Sequence, residues 1–178
     1  MKIQPNKPLP IYLDADDQIP NSHFPLLLYK NIFNEEGEGC AELLEVLFAA
    51  NNWTNSWRWG VYPFHHYHSN THEVLGVFKG SAEILFGGEF GEKVTVKAGD
   101  VVVIPAGVGH KCLSDENDFM VVGAYPGGCS PDMNRGELGE RPDVDENIAK
   151  VLIPDSDPVF GPNDGLIIIW TNLSSSEL

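Results

Sequence analysis

The stretch Gly60 to Gly80, GVYPFHHYHSNTHEVLGVFKG, constrains this chain more than any other. Four of the six histidines lie in it, and a fifth is His110. His66 and His68 are two apart, and alternate side chains of a strand face the same way, so both imidazoles point to one side. Glu73 follows after four intervening residues. Two imidazoles and a carboxylate converging on one side make a metal-ligand set. Open at this point are the fourth ligand, the framework and the purpose.

The framework is written in the hydrophobic period. Trp57 to His68 reads as one long strand, with Arg58, Gly60, Tyr62, Phe64, His66 and His68 on one side. Further strands are predicted at Glu73–Phe78, Ala82–Phe86, Lys93–Lys97, Val101–Ile104, His110–Leu113 and Phe119–Tyr125. Turn residues separate them at Ser69–Thr71, Lys79-Gly80, Gly87-Gly88, Ala98–Asp100 and Pro105–Gly109. Some seven short strands with turn signals between them predict an all-β sandwich or barrel, not alternating β/α units. The 18 glycines and 13 prolines suit many tight turns. No internal repeat points to a solenoid or propeller.

The flanks read differently. Residues 1–23 carry Pro5, Pro8, Pro10 and Pro20 and are expected to form an extended arm, with a short strand at Ile11–Leu13. Phe24–Tyr29 is apolar enough for a buried strand. Gly39–Trp53 is the one helix predicted, with Ala41, Leu44, Leu47, Phe48 and Ala49 near helical spacing and Asn51-Asn52 as its stop. It is expected to bury its Leu/Phe face against the outside of the sheet. Residues 127–149 are polar and acidic and predict a long loop over the barrel mouth or surface, with a helical turn near Val144–Lys150. Val151–Ile153 and Leu166–Trp170 look like two further strands, and Thr171–Leu178 like a frayed tail. The 178 residues suit one domain: an arm and helix over 1–56, a barrel core over 57–126, and an acidic loop and C-terminal strands over 127–178.

The net charge of −15 repels phosphates, so nucleic acid and anionic membrane are not expected as partners. The three cysteines, Cys40, Cys112 and Cys129, show neither a disulfide framework nor zinc-finger spacing. No apolar h-region opens the chain, and no run reaches the ~18 apolar residues of a membrane span. A cytoplasmic protein with reduced thiols is expected.

A second spaced motif follows Gly99: GDVVVIPAGVGHKCLS, with Pro105, Gly107 and His110 at fixed intervals. Together with Gly60, His66, His68, Glu73 and Gly80, it resembles the two signature motifs of the cupin superfamily. The wider run from about Asn21 to Trp170, including WRWGVYPFHHYHSNTHEVLGVFKGSAEILFGG, is similar to the YjlB-like branch of single-domain cupins. The second motif departs at its end, where Ser114 stands at a position often taken by Asn. The resemblance implies a double-stranded β-helix (jelly-roll) barrel with one N-terminal helix. It implies His66, His68, Glu73 and His110 as ligands of one divalent transition metal ion. It also implies a homodimer and a small-molecule substrate or ligand. Three imidazoles and a carboxylate suit Fe, Mn, Ni, Co, Cu or Zn, and affinity order alone does not choose among them.

The neighbours carry alternatives. His72 becomes the ligand in place of Glu73 if the turn is one residue shorter, but Glu73 keeps the spacing to Gly80. His65 and Tyr67 fall on the opposite face and read as packing or surface. Tyr62 and Phe64 share the ligand face and line the barrel interior, plainly or as catalytic groups. Cys112 has the parity of His110 and is either a small buried residue or a pocket thiol. Arg58 is either a clamp for an anionic substrate or half of a structural ion pair. The expected function is a metal-dependent, dioxygenase-like enzyme on a small organic molecule. The alternatives are a metal-dependent isomerase and a non-enzymatic binding or sensing protein. No DNA-binding helix pair or basic face accompanies the barrel.

Overall fold

The computed structural model describes residues 2–175. Seven strands form one antiparallel sheet: β1 (Leu9–Ile11), β2 (Leu26–Tyr29), β3 (Trp53–Trp59), β4 (Glu73–Phe86), β5 (Glu92–Lys97), β6 (Val101–Ile104) and β7 (His110–Pro126). Their order is β1-β2-β6-β4-β7-β3, with β5 paired to β4. The sheet rolls up without closing, in the jelly-roll manner predicted. The helix α1 (Glu38–Ala50) precedes β3. Two more helices, α2 (Asp143–Ile148) and α3 (Leu166–Ser174), follow the sheet. No helix among the described residues is long and apolar enough to cross a membrane.

The apolar runs LLLY and VVVI are continuous because the sheet is buried on both faces. Leu27, Tyr29, Val74, Val101, Val103, Val122 and Ala124 belong to an outer core with Leu44 and Phe48 of α1 and Leu166 and Trp170 of α3. Their strand neighbours Leu26, Leu28, Leu75, Val77, Val102, Ile104 and Val121 turn the other way, into the roll. So α1 lies where its pattern predicts, with Cys40, Ala41, Leu44 and Phe48 buried. Its stop is also as expected: Asn52, just past the helix, takes φ +62°. Ala49 is exposed, one position off the buried stripe.

The strand count differs from the prediction. Glu73–Phe78 and Ala82–Phe86 are two halves of β4, and His110–Leu113 and Phe119–Tyr125 are two halves of β7. Turn residues mark the interruption, but the chain bends there rather than reversing. Before the bend β4 pairs with β6, after it with β5, and β7 runs beside it throughout. Gly80 sits at the bend with φ +66°, and a Cβ there would lie 2.3 Å from the Glu116 carbonyl oxygen. Only glycine fits.

Two C-terminal expectations are overturned. Val151–Ile153 has no regular structure, and Leu166–Trp170 is helical, within α3. The IIIW run reads as a strand by its β-branched content. Yet Leu166 and Trp170, four apart, are the pair that is buried, which is helical spacing. Asp157 fixes the helix start: its carboxylate accepts the Leu166 N–H at 2.7 Å, the Val159 and Phe160 N–H groups, and the Tyr29 hydroxyl. Such long-range capping leaves no local signal. Of the expected tail, Thr171–Ser174 continues α3, and residues 176–178 lie outside the described residues.

If the Gly80 bend sets the roll, two glycine substitutions separate conformation from space. Gly127 also has positive φ, but nothing lies within 4 Å of its Cβ position. Gly127→Ala is expected to cost about 1–2 kcal/mol from φ alone. Gly80→Ala adds the backbone clash and should exceed roughly 3 kcal/mol by urea unfolding. Equal costs at the two positions would remove the bend from its structural role.

Candidate metal centre

The expected strand from Trp57 to His68 breaks. β3 ends at Trp59, and His66 rejoins the sheet through a single bridge to His110. The two residues exchange backbone bonds, His66 N–H to His110 O at 3.2 Å and His110 N–H to His66 O at 2.9 Å. That bridge holds the first motif against the second, with the two imidazole centroids 4.0 Å apart. His68 follows two residues later on the same side, as predicted.

His66, His68 and His110 are all buried and form the one group among the described residues whose donor atoms lie close enough to hold a metal ion, within 4.8 Å of one another. Each ring has one nitrogen tied off. His66 Nδ1 bonds the Phe64 carbonyl at 3.3 Å, His68 Nδ1 the Asp132 carbonyl at 2.5 Å, and His110 Nδ1 the Val108 carbonyl at 3.1 Å. A carbonyl only accepts, so each Nδ1 carries the proton and each Nε2 of a neutral ring keeps its lone pair. This is the outer-shell arrangement of metal-binding histidines.

Glu73, the first residue of β4, is 3 % exposed. Its Oε2 lies 3.5 Å from His68 Nε2 and 3.3 Å from His110 Nε2. Burial alone would raise its pKa, but the two imidazoles hold it well below the usual carboxylate range. Burial opposes charge on His68 too, and the Glu73 carboxylate overrides it, raising that pKa. For His66 burial wins, with its neighbour His110 adding to it, and the pKa falls to about 2. The centre thus sets a neutral His66 imidazole beside an ionised Glu73 carboxylate, with the His68 and His110 rings against that carboxylate. The donor set suits a divalent transition metal, which would displace any shared proton.

The groups lie at the foot of a cavity of about 290 Å³. Tyr62 lines it, as expected, whereas Phe64 stands behind Tyr62, stacked on it at 4.8 Å. Cys112 is buried among Val96, Val121 and Ile84 and does not line the cavity, so the small-buried-residue reading holds. Arg58 faces outward and forms a bidentate pair with Glu45 at 2.8 and 2.9 Å and a bond to Glu38. It is the structural ion pair, not a substrate clamp. The break after Trp59 is the reason: within β3, Trp57 and Trp59 line the cavity, opposite in parity to the expectation.

His72 does not reach the centre. Its Nδ1 accepts the Ala106 N–H at 2.9 Å, its Nε2 bonds the Leu152 carbonyl, and its ring packs on Trp170. Burial lowers its pKa to about 4, so it is a neutral core histidine. Tyr67 is buried and donates to Glu140 at 2.7 Å, and His65 is mostly buried near Glu89. Both read as packing, as expected.

Two residues escaped the sequence reading. Tyr125, at the far end of β7, accepts the Trp57 Nε1–H at 2.8 Å and lines the same cavity as Glu73; burial and then that carboxylate's charge push its pKa up. Asp132, in the acidic loop, accepts the Ser69 N–H and hydroxyl with its carboxylate while its carbonyl holds His68. Neither has a sequence signal beyond the expectation that the loop lies over the barrel mouth.

A family model described as "Cupin" matches residues 59–126. A Bacillus subtilis (strain 168) protein described as "Uncharacterized protein YjlB" is 47 % identical over 160 residues, covering 89 % of this chain and 94 % of its own. Among solved structures, acireductone dioxygenase from Bacillus anthracis, with a cadmium ion in its active centre, is 13 % identical at a TM-score of 0.40, covering 60 % of this chain and 82 % of that one. A DUF861 family protein from Thermotoga maritima is 24 % identical at a TM-score of 0.30, covering 52 % of this chain and 92 % of that one.

Two substitution experiments test the arrangement. His72→Ala should destabilise the fold yet leave metal content unchanged, whereas Glu73→Ala should lose most of the metal; elemental analysis of both decides. Asp132→Ala keeps the carbonyl that accepts from His68 but removes the carboxylate that ties it to Ser69, and should weaken zinc binding by no more than roughly tenfold in a chelator competition, the low end of an outer-shell loss.

With both motifs in place, the histidine cluster assembled and a close relative spanning nearly the whole chain, this protein belongs to the cupin superfamily, in its YjlB-like branch.

Proposed function

We propose that this chain is a metal-dependent, dioxygenase-like enzyme acting on a small organic molecule, with His66, His68, Glu73 and His110 holding one divalent transition metal ion. The observation that carries it is the convergence of three Nε2 atoms and the Glu73 carboxylate at the foot of one cavity, each Nδ1 already tied to a carbonyl. When bound, the ion supplies Lewis acidity and, if redox-active, electron transfer.

The chain's own residues do the rest. His66 stays neutral and ready to donate, and Glu73 stays ionised. The Tyr125 hydroxyl, fixed by the Trp57 indole, lines the cavity with Glu73. Leu75, Val61 and Met133 surround the centre with apolar surface that limits water.

One feature favours oxidation over isomerisation. Moving a proton between carbons needs a side-chain base beside the substrate. Among the described residues lining the cavity, the titratable groups are the four proposed ligands, two tyrosines and Asp132. The Asp132 carboxylate is committed to Ser69. No uncommitted carboxylate or imidazole remains for that work.

Elemental analysis of protein purified without tag or chelator should find about one Fe, Mn or Ni per chain. The loaded protein should consume oxygen with at least one member of a panel of phenols, small acids and sugars, and Glu73→Ala should abolish the uptake. Saturable binding without turnover would replace the enzyme with a binding protein, and turnover without oxygen would replace it with an isomerase.

A further inference from the structure

The cavity has walls of a particular kind. Besides the histidines, four aromatic side chains line it: Trp57, Trp59, Tyr62 and Tyr125. Trp57 lies directly over Gly123, where a Cβ would come within 2.2 Å of the indole ring. Its Nε1–H is bonded to Tyr125, so the same edge of the ring is held by packing and by a hydrogen bond. Tyr62 is stacked on Phe64 at 4.8 Å, and the Arg135 guanidinium covers Phe64 at 4.0 Å from the ring centroid. These two walls are therefore set before any ligand arrives. Trp59, at the rim, is 68 % exposed, a large indole surface with nothing packed over it.

The charge is equally one-sided. No lysine or arginine lines the cavity among the described residues. Arg58 is held by Glu38 and Glu45 on the outside, and Arg135 is spent on Phe64. Among the described residues, the formal charges lining the cavity apart from the histidine cluster are the Glu73 and Asp132 carboxylates. A carboxylate or phosphate carried on the ligand away from the metal would enter without a counter-charge, which is costly in an apolar site. The volume, about 290 Å³, sits at the small end of small-molecule sites.

We propose that the site selects a planar, uncharged, oxygen-bearing molecule of one or two rings, gripped between Trp57, Trp59 and Tyr62 and turning its oxygen to the histidines. The inference rests on the metal-centre reading for the role of that oxygen. The aromatic grip stands independently of it.

Calorimetric titration of the zinc-loaded protein, which is redox-silent, tests it with three probes on one two-ring skeleton. 2-Naphthol is planar and uncharged at neutral pH, 6-hydroxy-2-naphthalenesulfonate keeps the hydroxyl but carries a weakly ligating anion at the far end, and decahydro-2-naphthol is uncharged but not planar. The expected result is 2-naphthol binding at least about tenfold tighter than either of the others. Trp59→Ala should remove most of that preference while zinc content stays unchanged, and Tyr62→Ala should act likewise. The hydroxynaphthalenesulfonate binding as tightly as naphthol would overturn the uncharged ligand. Decahydronaphthol binding as tightly would overturn the aromatic grip, as would an unaltered preference in both variants. Absence of binding by all three probes would overturn the proposal as a whole. Protein that takes up no zinc but keeps the naphthol preference would sink the metal reading and leave this inference standing. Protein that holds zinc without the preference would do the reverse.

Discussion

Glu73 and Phe86 stand thirteen residues apart on one strand, roughly 40 Å if that strand were straight. Yet His110, paired with Phe86, brings its Nε2 to 3.3 Å from the Glu73 carboxylate. The bend of the β4–β7 ribbon at Gly80 makes this possible, turning two ends of one ladder to face each other across the roll. Everything at the centre depends on it. The exchange of partners from β6 to β5 along β4, the burial of both sheet faces and the cavity between Leu75 and the histidines all follow from the same bend.

The centre is then held from two sides. The His66–His110 bridge ties the two motifs together through backbone bonds that any residue could make, leaving both rings free for chemistry. The loop after β7 supplies the other side. Asp132 holds His68 and Ser69, Asn134 exchanges backbone bonds with Tyr67, and Glu140 takes the Tyr67 hydroxyl and the N–H groups of Arg135 and Gly136. Two of the six acidic residues from Asp132 to Glu146, Asp132 and Glu140, thus accept hydrogen bonds around the ligand-bearing segment. A carboxylate's sign says where it is soluble; its partners say what it is for.

Comparison of particular elements shows how far local pattern reaches. The helix at Glu38–Ala50 was legible because its apolar residues repeat along one chain segment, and so was the shared face of His66 and His68. The preference for Glu73 over His72 rested on spacing to Gly80, and the structure places His72 in the core and Glu73 beside the histidines. Arg58 was misplaced because alternation was carried through a segment where the strand had already ended. The helix Leu166–Ser174 was misread because its β-branched run outweighed a two-residue helical burial pattern, and its cap, Asp157, is remote from the local window.

The sequence by itself determined the residue types at the centre, their spacing within each motif, the all-β class and the family. These depend on period, on glycine at positive φ and on the order of the motifs, all of which are local. Only the tertiary structure decided that Tyr125 joins Glu73 in the cavity lining, that Asp132 supports His68, that both nearby arginines are occupied elsewhere, and that Trp57, Trp59 and Tyr62 wall the cavity. Those facts depend on contacts between segments tens of residues apart, whose partners are set by how the ribbon bends, and no local pattern encodes the distance across a roll.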